Sequence, residues 1–526
     1  MPVETAWEIN AAWLARHAPQ LWQRLLDCGP SDRIKWSEGR LLWWRGLTPV
    51  EVVEPSPVDA PSDRDVVCLG FGRGDWVHEL LQQSDRDVVV WDRHPGFLRP
   101  ALQHRDWTTW LASGRLRLIA GGDLLKAQGP RVPHPVLGLR YADEARCKGG
   151  RRVLLVEGSL FVDDVAQALT AEGWSVFRWD VADLPTAELE RTAAAVQPEL
   201  VVGINHTHGL AEACERLGVP LIEWEIDPST DALRQTQASG ATVFTWRQRH
   251  VEPLRAAGFQ AEYLPLATNL DRRAPAILTR EQQQTYGVDV AYVGSSMVEQ
   301  AKTLMGEFAL WFERVHGDRA AGIHLGQSLL AVQAEQGDRY VLPTLLQQVA
   351  PDLAQRFADA GCAHEPAALL GEAAAATYRL RTLAPLGALG LHVWGDPGWA
   401  ALASHGATYR GWAGHFDELT RIYSAARVHV DVGRLYQLDI VPMRIFDVIA
   451  AGGFVVAQHS EALAELLTPG VEVVTWKTPS ELAEKVARYL ADEGARKRVV
   501  QAGRARIVRE HTIAHRVRHM LCAAAA

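Results

Sequence analysis

Short apolar runs alternate with longer stretches of helical periodicity over most of the chain, the pattern of an α/β protein whose strands are covered on both faces. The amino-terminal stretch AAWLARHAPQLWQRLL reads as a helix, followed up to about residue 60 by irregular or short-strand sequence. Val66–Leu69 then predicts a strand that runs into Gly70, Gly72 and Gly74, a helix, and a second strand over Val88–Trp91 ending in Asp92. That order is the dinucleotide-like βαβ arrangement: glycines let the backbone approach a ligand, and the acid can bind ribose hydroxyls. A mere tight turn at Gly70–Gly74 is the competing reading. Another strand follows in RLRLIAGGD.

Residues 127–150, rich in Gly, Pro and charge, read as a linker. From residue 151, strand, loop, helix and strand succeed one another in RRVLLVEGSLFVDDVAQALTAEGWSVFRWD and again in PELVVGINHTHGLAEACERLGVPLIEWEIDP. This second unit is expected over 151–278, ending in a polar connector. A third, over 279–526, opens with VDVAYVGSSMVEQAKTL, is helical over about 300–390, and resumes alternation from LGLHVWGD to VEVVTW. The expected fold class is therefore α/β: two successive Rossmann-like domains with a cleft between the carboxyl ends of their sheets, preceded by an additional Rossmann-like domain over 1–126.

The densest chemistry lies in DIVPMRIFDVIAAGGFVVAQHS, Asp439 to Ser460. Pro442 favours a first helical turn, and Gly452 and Gly453 suit the helix end. Unpaired amides at the helix start suit a phosphate, and Arg444 adds a forked cation. Asp439 and Asp447, flanking that start, can accept hydrogen bonds from vicinal hydroxyls, so the group suits a nucleotide sugar. Equally, Asp439 can be a capping acid and Asp447 a solvated or ion-paired side chain. Upstream, INHTHG follows a strand end, where α/β sheets place ligands, so His206 and His208 are candidate proton carriers, with Asp227 in EWEIDP a third.

Composition narrows the classes. The 526 residues carry a net charge of −9 with no basic stripe, which argues against a nucleic-acid partner. Six scattered cysteines without a CxxC pair argue against metal sites and disulfides, and fit a reducing compartment. No signal-peptide pattern opens the chain, and no apolar run approaches the roughly 20 residues of a membrane span. The expectation is a soluble cytoplasmic protein without a metal site. The 19 tryptophans suggest sugar stacking, but Trp43, Trp44, Trp107 and Trp110 read better as packing residues.

Two resemblances add to this reading. The loop Gly70–Gly74 with Asp92 looks like a class I methyltransferase nucleotide pocket, while the whole of residues 1–125 looks closer to the Rossmann-like domain of the motility-associated flagellin-modification (Maf) family. Residues 289–526 resemble glycosyltransferases of the spore-maturation CgeB type, within the larger group-1 assemblage of GT-B fold. The matching pieces are DVAYVGSS, LHVWGD, YRGWAGHFDELTRIYSAARVHVDV, VPMRIFDVIAAGGFVVAQHSEALAELL and a last stretch containing Glu510-His511-Thr512 and Arg516. GVPLIEWEIDP and AEYLPLATN extend the likeness over most of 151–526.

The resemblance implies a donor-binding E-x7-E motif, its first acid facing the sugar and its second the ribose. Asp439 and Asp447 stand at those positions, each one methylene shorter than Glu. The turn Gly294-Ser295-Ser296 lacks the arginine that such enzymes use on the diphosphate, so Arg444, Lys302 or Arg434 would have to supply the charge, Arg444 being preferred. The resulting expectation is a metal-independent glycosyltransferase moving a sugar from a UDP- or other nucleotide sugar to an acceptor hydroxyl. The Maf likeness makes a flagellin-like protein or a surface glycan the expected acceptor. Two alternatives stand beside it: a bifunctional protein whose first domain binds S-adenosylmethionine, and a catalytically degenerate protein-binding scaffold.

Overall fold

The computed structural model describes residues 5–45, 48–55, 65–138, 150–158, 161–207, 209–227, 240–437 and 439–524. Its amino-terminal helix is two helices, Ala6–His17 and Pro19–Cys28, where the sequence suggests one. The residue before a proline is disfavoured in the helical region, and Ala18 accordingly turns the chain with φ −135°. A three-stranded antiparallel sheet follows, made of β1 (Ile34–Ser37), β2 (Arg40–Arg45) and β3 (Thr48–Glu51).

The first Rossmann-like sheet holds β4 (Val66–Leu69), β5 (Val88–Asp92), β6 (Leu116–Ala120) and β7 (Arg131–Pro133), in the order β6-β5-β4-β7, all parallel. β7 falls inside the stretch expected to be a linker. Its one apolar residue, Val132, sits between Arg131 and Pro133, so three residues carry no periodicity to read. Residues 139 to 149 of that expected linker lie outside the described residues.

The second sheet holds β8 (Arg152–Val156), β9 (Ser175–Trp179), β10 (Leu200–Ile204), β11 (Leu221–Glu225), β12 (Thr242–Thr245) and β13 (Gln260–Tyr263), in the order β13-β12-β11-β10-β8-β9. The third holds β14 (Val290–Val293), β15 (Leu391–Trp394), β16 (Thr408–Tyr409), β17 (Val428–Val430), β18 (Val455–Gln458) and β19 (Val474–Trp476), in the order β16-β15-β14-β17-β18-β19 with every pair parallel. Helices fill the chain between β14 and β15, the longest being Val298–His316, Arg319–Glu335 and Pro366–Leu383. Gly322 and Gly326 let the middle one pack closely: a β-carbon at Gly322 would stand 2.8 Å from Phe312.

Residue contacts group the chain into two units. The first runs up to Phe244 and adds Leu254–Glu262 and the residues from Met520 onward; the second is Thr245–Pro253 with Tyr263–His519. The chain crosses between these units at Phe244, Pro253, Glu262 and His519. Within the first unit, the first and second sheets share one apolar core, in which Val67, Leu69, Trp91 and Leu124 pack with Leu154, Val156, Phe177 and Leu189. Buried Arg24 ties them further, with both Glu188 oxygens at 2.8 Å and Asp123 at 2.6 Å. The tryptophans expected to pack do so at Trp43 and Trp107, and Trp44 and Trp110 are half-buried.

Candidate functional site

In open α/β sheets ligands settle at the carboxyl ends of strands where the strand order reverses. Each of the three sheets has one such point, and each is furnished differently.

In the third sheet the reversal lies between β14 and β17. β14 ends in the turn Gly294–Met297, and β17 ends in Asp431–Arg434. Gly294 has φ +155°, and a β-carbon there would stand 2.6 Å from an Arg444 Nη1. Ser295 donates to Asp396 at 2.8 Å, and its carbonyl accepts from Arg379 at 2.8 Å. Burial pushes the Asp396 carboxyl up, but hydrogen bonds from Ser296 and Ser295 outweigh it and hold the acid below its ordinary range.

The expected phosphate ligand, Arg444, is committed elsewhere. Its guanidinium pairs with buried Asp431, donates to the Val293 carbonyl at 2.7 Å and lies 4.9 Å over the Tyr292 ring. It braces β14 against β17 and offers little charge to a ligand. Lys302 pairs with Glu299 on the exposed face of a helix. Among the described residues Arg434 makes only long contacts, 3.4 Å to Gln437, 3.7 Å to the Met297 sulfur and 3.9 Å to Glu372. Of the three cations it is the one with donors to spare at this turn.

The helix of the acidic motif spans Met443–Ala450, with Pro442 as its cap residue. Asp447 is 3% exposed, accepting from Thr268 at 2.6 Å and from Arg273 at 3.0 Å. Arg273 in turn holds the His415 carbonyl at 2.9 Å and the Phe416 carbonyl at 3.2 Å. The short Asp447 carboxylate, expected at a ribose, here turns inward and through Arg273 anchors the loop before the helix Asp417–Ala425. Asp439 is partly exposed and gripped by Arg247 at 2.8 and 3.2 Å and by Arg249 at 3.1 Å. Gly452 and Gly453 end the helix as expected, Gly452 with φ +80°, but they precede β18 and so lie at the amino ends of the strands, away from the donor edge. Sequence reasoning passed over Arg247, Arg249 and Arg273, whose partners are far away in the chain. It also passed over Trp412, 70% exposed on the loop after β16.

In the second sheet the reversal lies between β8 and β10, and β10 leads into Asn205-His206. Asn205 adopts φ +63°, a left-handed conformation that Asn tolerates, and its Oδ1 accepts from the Ile226 and Asp227 amides at 2.8 and 3.0 Å. This turn brings the His206 Nδ1 within 3.0 Å of Glu223 on β11, both side chains buried. Among the described residues the buried His206 Nε2 has no hydrogen-bond partner. Burial disfavours the charged ring, but the hydrogen bond and charge of Glu223 outweigh it and raise the His206 pKa above its ordinary value. Asp227 is exposed, 3.5 Å from Asn205, and His208 lies outside the described residues. Glu223 was invisible as a partner because it lies on a different strand.

In the first sheet the reversal lies between β4 and β7, and the nucleotide pocket expected from Gly70, Gly72, Gly74 and Asp92 is filled by the chain itself. Asp92 is 1% exposed and accepts from the Phe71 and Arg93 amides at 3.1 and 3.0 Å, which holds the loop and leaves it buried away from any ribose. Glu54 and His134 crowd Gly72, and Trp107 crowds Gly74. Among the described residues no group of three or more His, Cys, Asp or Glu could hold a metal, and no helix is long and apolar enough to cross a membrane.

Residues 378–522 match the family described as glycosyl transferase-like. No curated protein matches the chain. Among solved structures, a glycosyltransferase from Rickettsia africae aligns over 88% of this chain and 97% of its own, at 10% identity and TM-score 0.38. Sucrose-phosphate synthase from Thermosynechococcus elongatus aligns over 71% and 98%, at 13% identity and TM-score 0.41. The Anabaena protein HepE, in complex with UDP and glucose, aligns over 88% and 99%, at 10% identity and TM-score 0.39. Likenesses this distant bear on neither the donor nor the acceptor of this chain. The family match thus makes residues 378–522 glycosyl transferase-like, within a chain of α/β architecture.

Proposed function

We propose that the chain transfers a glycosyl group from a nucleoside-diphosphate sugar to an acceptor hydroxyl, with the donor on the carboxyl edge of the third sheet. The observation that carries this is the β14–β17 reversal, which sets the Gly294–Met297 turn beside Asp431–Arg434 at the start of the glycosyl transferase-like segment's last sheet half. In this reading Arg434, helped by the amide groups that open the helix Met443–Ala450, neutralises the diphosphate. Asp439, with lone pairs left beside its arginines, accepts from sugar hydroxyls, and Trp412 offers a face to the base. Asp447 serves at one remove, through Arg273. His206 is the proton acceptor of this reading: Glu223 fixes its Nδ1–H, which leaves the Nε2 lone pair to take a hydroxyl proton. The acceptor is a glycan or a protein, flagellin-like by the resemblance of the first domain, met in the cytoplasm.

A thermal-shift series with nucleoside diphosphates and their sugars tests the donor half. Arg434→Gln should weaken nucleotide binding several-fold while Lys302→Gln leaves it unchanged; equal affinities in wild type and Arg434→Gln would remove the proposed phosphate contact. A second reading, a catalytically silent scaffold, is favoured by the inward commitment of both Asp447 and Arg444. It predicts no nucleotide-dependent shift at all.

A further inference from the structure

At the strand-order reversal of the first sheet the chain supplies an occupant of its own. Glu54, just beyond β3, lays its carboxylate across the start of the helix Asp75–Gln83: one oxygen accepts from the Arg73 amide at 2.5 Å, the other from the Trp76 amide at 3.3 Å. Gly72 makes room for it. A β-carbon there would stand 2.5 Å from the Glu54 oxygen and 2.8 Å from His134 Nε2, and φ is +64°. His134 follows β7 and is fully buried. Its Nδ1 accepts from the Val136 and Leu137 amides at 3.1 and 3.2 Å, so the ring proton sits on Nε2. Among the described residues that N–H has no hydrogen-bond partner, and it lies 3.8 Å from the nearer Glu54 oxygen.

We infer that this glycine loop is a carboxylate-binding site, built from the Arg73 and Trp76 amides and the His134 Nε2–H, whose resident ligand is the chain's own Glu54. Two amides and a ring N–H converge on one small volume at a helix start, where the backbone dipoles favour an anion. A carboxylate has about four acceptor positions, and Glu54 uses two of them on the amides, leaving an edge for the histidine. Because Glu54 is tethered a few residues from β3, its effective concentration is on the order of millimolar or above, beyond that of most free competitors. The consequence for the glycine motif is direct: the place where a nucleotide cofactor would bring its anionic group is taken, and this domain binds no S-adenosylmethionine while Glu54 is seated.

The full-length Glu54→Gly variant tests this by refilling. Acetate should raise its melting temperature saturably, beyond the effect of chloride at matched ionic strength, and should leave wild type unmoved. Glu54→Gln, which keeps an oxygen in the site, should respond less than Glu54→Gly. Should Glu54→Gly not fold, hydrogen exchange on wild type decides: the Arg73 and Trp76 amides should exchange slowly, and equally so with and without S-adenosylmethionine. The inference is overturned if acetate treats Glu54→Gly and wild type alike, if wild type binds S-adenosylmethionine by calorimetry, or if those two amides exchange as fast as an open loop.

Discussion

Asp447 and His206 illustrate opposite uses of a buried charge. Asp447 and Arg273 satisfy one another out of water, so removing either leaves the other's charge buried and uncompensated. Asp447→Ala should cost about 3–5 kcal/mol, read as a lower denaturant midpoint, before any effect on nucleotide binding is considered. If nucleotide affinity fell while stability held, Asp447 would be a ligand contact after all. For His206 the readout is a pH profile. Its pKa is raised in the fold, so stability from the Glu223 pair is present below the ordinary histidine value and fades as pH rises through the raised one. In the proposed reaction His206 must be neutral, so activity should climb only above the ordinary value, and Glu223→Gln should shift that acid limb to lower pH. His206→Ala should lower kcat by roughly 10²–10⁴-fold. At this scale the sequence spoke unevenly. Asp439, Asp447 and His206 stood out by spacing and position, but Arg273, Arg247 and Glu223 did not, because a partner on another strand leaves no local pattern.

Elements explain which expectations were readable. Strands buried on both faces appear as apolar runs, so most of the three main sheets could be anticipated, whereas β7 and β16 are too short to show a period. The closing motif around His511 is an element-level clasp. Thr268 and Thr512 form a bridge, and Arg516 donates to the carbonyls of Pro265 at 2.7 Å and Leu266 at 3.2 Å. The clasp depends on a neutral His511, whose Nδ1 lies 3.0 Å from Arg516 and whose Nε2 meets the Leu466 carbonyl at 3.1 Å. Burial pushes its pKa down to about 4, as it does for His429, held against the Tyr423 carbonyl. Both must stay neutral in the fold while the unfolded chain protonates them, so stability should fall as pH drops from 6.5 towards 4. The loss should reach roughly 3 kcal/mol for each ring, measurable as a falling denaturant midpoint, and an unchanged midpoint across that window would contradict it.

At the scale of the molecule, the first two sheets share a core that the sequence divided with a linker. Residues 151–526 expressed alone would present Leu154, Val156, Phe177 and Leu189 without their partners, and Glu188 without Arg24. That fragment should aggregate or elute as a large species in size exclusion; a soluble monomer melting like the full chain would show that the first domain is an appendage. The chain also passes between its two units after Phe244, Pro253, Glu262 and His519. Synthesis runs from one end, and domains tend to fold as they emerge. Here the first unit takes two short pieces made after most of its core, so its last contacts form late in synthesis. A ribosome paused at His519 would hold a chain with every residue of the second unit, while the unit begun first still lacked its last piece.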